Sequence, residues 1–112
     1  MVKKFEIEFL EDAYDFLVSI DTKAKNKIIY NIDKARHLND PKLFKKLEDE
    51  IWEFRAESKK LQHRLLAFWD KRKASETLVI CTHGFVKKVD KVPKAEIDKA
   101  KKIMKKYFET FK

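Results

Sequence analysis

Glycine is almost missing from this sequence: Gly84 stands alone among 112 residues. That scarcity rules out the glycine-rich loops that cradle nucleotide phosphates. No G-x-S-x-G element and no paired-carboxylate arrangement is present either, so nucleotide-dependent enzymes and α/β hydrolases are disfavoured. The one cysteine, Cys81, can form no internal disulfide, which agrees with a reducing compartment. No apolar run approaches the roughly 18 residues that a membrane span needs. The opening Met-Val-Lys-Lys-Phe-Glu-Ile-Glu lacks the apolar core of a signal peptide. The expectation is a cytoplasmic protein with no membrane association.

What is present is charge and apolar residues in near-equal measure, 41% and 44%, a balance that argues against disorder. The length suits a single domain over residues 1–112. The net charge of +8 is unevenly placed. Residues 1–50 carry 10 Lys/Arg against 11 Asp/Glu, and residues 51–112 carry 17 against 8. All of the excess lies in the second half. Such asymmetry points to a polyanion or an acidic protein partner, or simply to lysines that maintain solubility.

Residues 3–9 alternate strictly, with Phe5, Ile7 and Phe9 on one face, the period of a half-buried strand. From Leu10 the period becomes helical through Ala13, Tyr14 and Leu17. Asp21 or Thr22 can cap a second helix, which Asn39-Asp40-Pro41 should end. Ile51–Arg55 reads as a strand, Glu57–Lys60 as a turn and Leu61–Trp69 as a second strand. Asp70–Ser75 reads as a polar hairpin loop and Thr77–Thr82 as a third strand. Apolar residues on both faces make the last two central strands. A lysine-rich helix over about 94–110 places Ile97, Ala100, Met104, Tyr107 and Phe111 on one stripe. The order β-α-α-β-β-β-α predicts an α+β fold. A helical hairpin and a C-terminal helix should pack on one face of a small antiparallel sheet, leaving the other face open.

Several residues can carry chemistry. Arg55 and Arg64 lie on neighbouring strands, where a planar guanidinium can meet a phosphate. Arg55 can equally be neutralised by Glu53 or Glu57, whereas no acidic residue flanks Arg64. Trimming Arg64 to alanine should therefore cost chemistry more than folding. Lys87, Lys88, Lys91 and Lys94 crowd the loop after the third strand with only Asp90 to balance them, as a phosphate backbone would require. A solvated loop is the bland alternative. The lysines of the last helix read more simply as a solvated face. His83 is an imidazole at the mouth of the basic loop. Cys81 and His83 should share a strand face, but two ligands do not make a zinc site, and no metal is expected. His63 should point away from Arg64.

The stretches Ile-Trp-Glu-Phe-Arg (51–55), His-Arg-Leu-Leu-Ala-Phe-Trp-Asp (63–70) and His-Gly-Phe-Val-Lys-Lys…Lys-Val-Pro-Lys-Ala-Glu-Ile (83–97) resemble the RelE/HigB-type toxins of bacterial toxin–antitoxin systems, in a phage-derived HigB-like branch. The resemblance covers residues 3 to about 108. It implies a RelE-like fold and an endoribonuclease, an mRNA interferase that cuts mRNA, usually on the ribosome, and so inhibits translation. The chemistry implied is attack of the 2′-OH on its own 3′-phosphate, with no cofactor. The resemblance maps the family's active-site strand arginine onto Arg64, its basic pair onto Lys87 and Lys88 and a further strand arginine onto Arg55. The residues themselves add His83 as a proton donor or base, and His63, Lys91 and Lys94 as RNA contacts. His63 stands where relatives carry a tyrosine. The partners implied are mRNA, the ribosome and a cognate antitoxin with a helix-turn-helix, with operator DNA reached only through that complex. A non-catalytic RNA- or ribosome-binding module is the alternative.

Overall fold

A computed structural model describes residues 4–73 and 77–111. The elements run β1 (Glu6–Phe9), α1 (Glu11–Ser19), α2 (Thr22–Ala35), β2 (Phe44–Glu48), β3 (Ile51–Ser58), β4 (Leu61–Asp70), β5 (Leu78–Lys87) and α3 (Lys94–Thr110). The strands form one sheet in the order β1-β5-β4-β3-β2. The α+β class and the order of the expected elements hold, and the fold is RelE-like. The sheet is mixed rather than antiparallel. β1 lies parallel to β5, and the other neighbours are antiparallel. Local alternation encodes a strand but not its partner, so the pairing of two strands about 70 residues apart in sequence was invisible. Part of the predicted 70–75 loop lies outside the described residues.

Local chemistry accounts for most boundaries. The Asp21 carboxylate accepts from the Ala24 N–H at 2.8 Å and so starts α2. α2 ends at Ala35, before the Asn-Asp-Pro stop, where the Arg36 carbonyl turns to accept from Lys4 N–H. β2 escaped the pattern reading because Lys45 and Lys46 break its alternation, as edge strands allow. Lys59 and Lys60 make the β3–β4 turn with φ of 53° and 66°. β5 does not stop at Thr82 but runs on through Gly84 to Lys87, so the expected basic loop begins inside the strand. The glycine serves packing rather than a turn. A Cβ there would lie 2.6 Å from Phe16 Cγ, so the ring of α1 rests on bare backbone.

The three helices do not share one face. α1 and α2 bury Ala13, Leu17, Ile28, Ile32 and Ala35 against Phe54, Ala56, Leu65, Ala67, Val79 and Cys81. α3 covers the other face, with Ile97, Ala100 and Tyr107 on Ile51, Leu66, Phe68 and Ile80. An apolar stripe says that a helix must be buried but not against which side of a sheet. A β-bulge opposite Leu66 and Ala67 inserts Thr82 as an extra residue. Cys81 therefore joins the α1/α2 core while His83 turns to α3, and the expected shared face does not exist. Among the described residues, no helix is long and apolar enough to cross a membrane.

Candidate functional site

α3 covers only part of its sheet face. Beyond it, strand alternation brings Glu53, Arg55 and Glu57 of β3 beside Gln62 and Arg64 of β4 and Phe85 and Lys87 of β5. Arg55 is the direct cross-strand partner of Arg64, and Gln62 of Lys87. Two cations opposed on neighbouring strands repel, and a third lies one step away. A buried carboxylate answers them. Glu53, 3% exposed, places Oε1 3.1 Å from Arg64 Nε and Oε2 3.9 Å from Arg55 Nε. Glu53 Oε1 and both Nε atoms lack hydrogen-bond geometry, so the three groups are held by charge rather than by directed bonds.

Arg64 is 2% exposed and is the bulkiest of the fully buried side chains. Its Nη1 donates to the His63 carbonyl at 3.0 Å and its Nη2 to Gln62 Oε1 at 3.3 Å. Burial pulls its pKa down, and the Glu53 carboxylate pushes back. Arg64→Ala should therefore cost folding as well as chemistry. That change strands a buried carboxylate, and breaking a buried pair in this way costs about 3–5 kcal/mol. Sequence reading missed the pair because Glu53 reaches Arg64 across strands. It missed Gln62 as well, although period-two spacing from Arg64 would have found it.

Arg55 is more open, its side chain 31% exposed. With Arg64, Gln62, Glu57, Ala56, Asn31 and Lys42 it lines a cleft of about 220 Å³. The cleft opens where β2 has ended, since β2 pairs with β3 only as far as Phe54. Asn31 holds the strand there by donating to the Arg55 carbonyl at 2.9 Å. Lys87 donates to the Asp90 carbonyl at 3.0 Å. Its pKa is lowered, first by burial and then by the guanidiniums of Arg64 and Arg55. A lysine in that state can exchange a proton nearer neutrality than an ordinary one.

The other predicted residues sit elsewhere. His83, 2% exposed, is bound on both ring nitrogens, to Thr82 Oγ1 and to Glu96 Oε1 of α3, each at 3.0 Å. Burial lowers its pKa, with Glu96 opposing. A carboxylate only accepts, so the neutral ring donates from Nε2 and accepts at Nδ1. His63 faces the opposite side of β4 from Arg64, 6.3 Å from the Phe16 ring, with Nδ1 unpartnered. Lys88 and Lys91 are exposed beside Lys87. Lys94 begins α3 and is paired with Glu48 and Asp98, each at 3.5 Å. Arg55, Arg64 and Lys87 are thus brought together, Lys88 and Lys91 flank them, His83 and Lys94 are engaged elsewhere, and His63 lies on the opposite face.

A family model described as "Phage derived protein Gp49-like" matches residues 15–105. That span contains the C-terminal half of α1, all of α2, the antiparallel strands and most of α3. No curated protein matches the chain.

Proposed function

We propose that this chain, which belongs to the Gp49-like phage-derived family, a toxin-like family related to the RelE and HigB toxins, is an endoribonuclease. In this reading it is the toxin of a toxin–antitoxin pair, cutting mRNA on the translating ribosome. The observation that supports it is the convergence of Arg55, Arg64 and Lys87 at the sheet end beyond α3, with Arg55 and Lys87 partly exposed and Arg64 buried, beside the exposed Lys88 and Lys91.

The reaction is attack by a ribose 2′-oxygen on the adjacent phosphorus. The 2′-O–P bond forms, the P–O5′ bond breaks, and a 2′,3′-cyclic phosphate and a 5′-hydroxyl result. Negative charge grows on the non-bridging oxygens as this happens. Guanidinium donors fixed before substrate arrives stabilise that charge without reorganisation, at about 2.7–4 kcal/mol for each such donor. Arg55 and Arg64 take this part at the cleft. Lys87, with its lowered pKa, takes the proton-transfer part, accepting from the 2′-hydroxyl or donating to the leaving oxygen. His83 serves instead to fasten α3, since both its nitrogens are committed. Lys88 and Lys91 guide the RNA backbone.

The test is a reconstituted translation reaction with added purified protein. New RNA ends bearing 2′,3′-cyclic phosphate are expected with wild type, and at least about tenfold fewer with Lys87→Ala. Ribosome or RNA binding without new ends would replace cleavage with the binding-module reading.

A further inference from the structure

We infer that Glu53 is a positioning residue: it sets the two arginine forks toward one phosphate while moderating the positive charge that meets it. This inference rests on the reading of the cleft as a phosphate site.

The geometry is specific to Glu53. Among the described residues it is the one buried carboxylate beside the cleft, and each of its oxygens faces a different arginine. Each arginine meets it through Nε, the edge of the fork nearest the chain. The Nη end of Arg55 is left available to the cleft that both arginines line. Arg64 Nη2 is held only by Gln62 Oε1 at 3.3 Å, a neutral acceptor that a phosphate oxygen outcompetes. Glu57 also borders the cleft but is exposed, so solvent screens it. Without Glu53, two directly opposed guanidiniums and Lys87 would splay apart. With it, their mutual repulsion is balanced at a fixed point.

Opposing this is a plainer role in which Glu53 merely neutralises buried charge and holds the fold. The two differ in what separates binding from cleavage. A positioning residue with a negative charge costs some ground-state affinity and returns rate. A structural residue moves both together with the folded fraction.

The experiment compares wild type, Glu53→Gln and Glu53→Asp. Thermal unfolding is measured for each, with binding of a fluorescent 2′-O-methyl RNA oligonucleotide that cannot be cut, and with cleavage in the translation reaction. Glu53→Gln keeps the shape and removes the charge. It should bind the oligonucleotide severalfold more tightly and cut about 10²-fold more slowly. Glu53→Asp keeps the charge and withdraws it by one methylene. It should bind as wild type does and again cut about 10²-fold more slowly. Cleavage by Glu53→Asp at the wild-type rate overturns the inference. So does parallel loss of binding and cleavage in Glu53→Gln that follows its loss of folded protein. If wild type cuts nothing, the nuclease reading fails separately, and unchanged or weaker oligonucleotide binding by folded Glu53→Gln then overturns the claim that Glu53 moderates the charge.

Discussion

The two faces of one sheet are built on different principles. The face beneath α1 and α2 is mainly apolar, from Val79 and Cys81 across Leu65 and Ala67 to Phe54 and Ala56, with His63 against Phe16 at its end. The face beneath α3 is divided. One half is apolar and closed by α3, and the other carries Arg55, Arg64 and Lys87 around Glu53. Even the closed half depends on polar ties. Tyr107 donates to Asp70 at 2.8 Å, Arg72 binds the same carboxylate, and Lys101 reaches Glu48 at 2.9 Å and Asp49 at 2.8 Å. The first face supplies stability. The second keeps buried charge in place at some cost to stability.

The sharpest way to break the contrast is Arg64→Ala. It should destabilise the chain by about 3–5 kcal/mol in denaturant unfolding, because Glu53 stays buried without its partner. Replacing both with leucine should restore most of that loss while abolishing cleavage. An unfolding midpoint for Arg64→Ala equal to wild type would contradict this account of the buried pair. On the other face, Gly84→Val should cost about 1–3 kcal/mol by driving Phe16 off the strand, with no direct effect on RNA binding by the folded protein.

The ties of α3 predict a pH dependence. Arg72, the first cause, and Tyr107 hold the Asp70 carboxyl well below the usual carboxylate range. A depressed carboxylate contributes stability that is present above its unfolded value near 4 and lost as pH falls further. The Tyr107 phenol is pushed up to about 12, first by burial and then by Asp70. That contribution is present below about pH 10 and lost as pH climbs toward 12. Asp70→Asn should therefore flatten the acid limb of an unfolding curve between pH 5 and 2, about 1–2 kcal/mol in all given partial burial. An unchanged acid limb would remove Asp70 from the account. The smallest stability effect belongs to the double change Lys88→Ala and Lys91→Ala, within about 0.5 kcal/mol. It should nevertheless lower the salt dependence of RNA binding by roughly 0.7 per lysine in log–log slope.

Much of this contrast was legible in sequence, and the reason is periodicity. Ile51–Arg55 alternates and is β3, and the two-sided apolar run after Arg64 is the buried centre of β4. The stripe Ile97, Ala100, Met104 and Tyr107 packs as expected, while Phe111 falls just past the helix and is exposed. What could not be read is everything that depends on register. The Glu53–Arg64 pair joins residues across a turn, and the Thr82 bulge turns His83 away from Cys81. The side of the sheet chosen by α3 decides whether His83 meets solvent or Glu96. The cations of the candidate site were found because they are dense in sequence. Glu53 is near only Arg55 in sequence, and nothing in the sequence ties it to Arg64.

The most direct measurement of the central claim is mapping of mRNA 5′ ends in bacteria after tight induction of wild type and of Arg55→Ala/Lys87→Ala. Both exchanged side chains are at least partly exposed, so the variant should remain folded. Growth arrest with new cuts inside coding regions for wild type, and neither for the folded variant, is the predicted result. Wild-type expression without cuts, or cutting by the variant at the wild-type level, would contradict it.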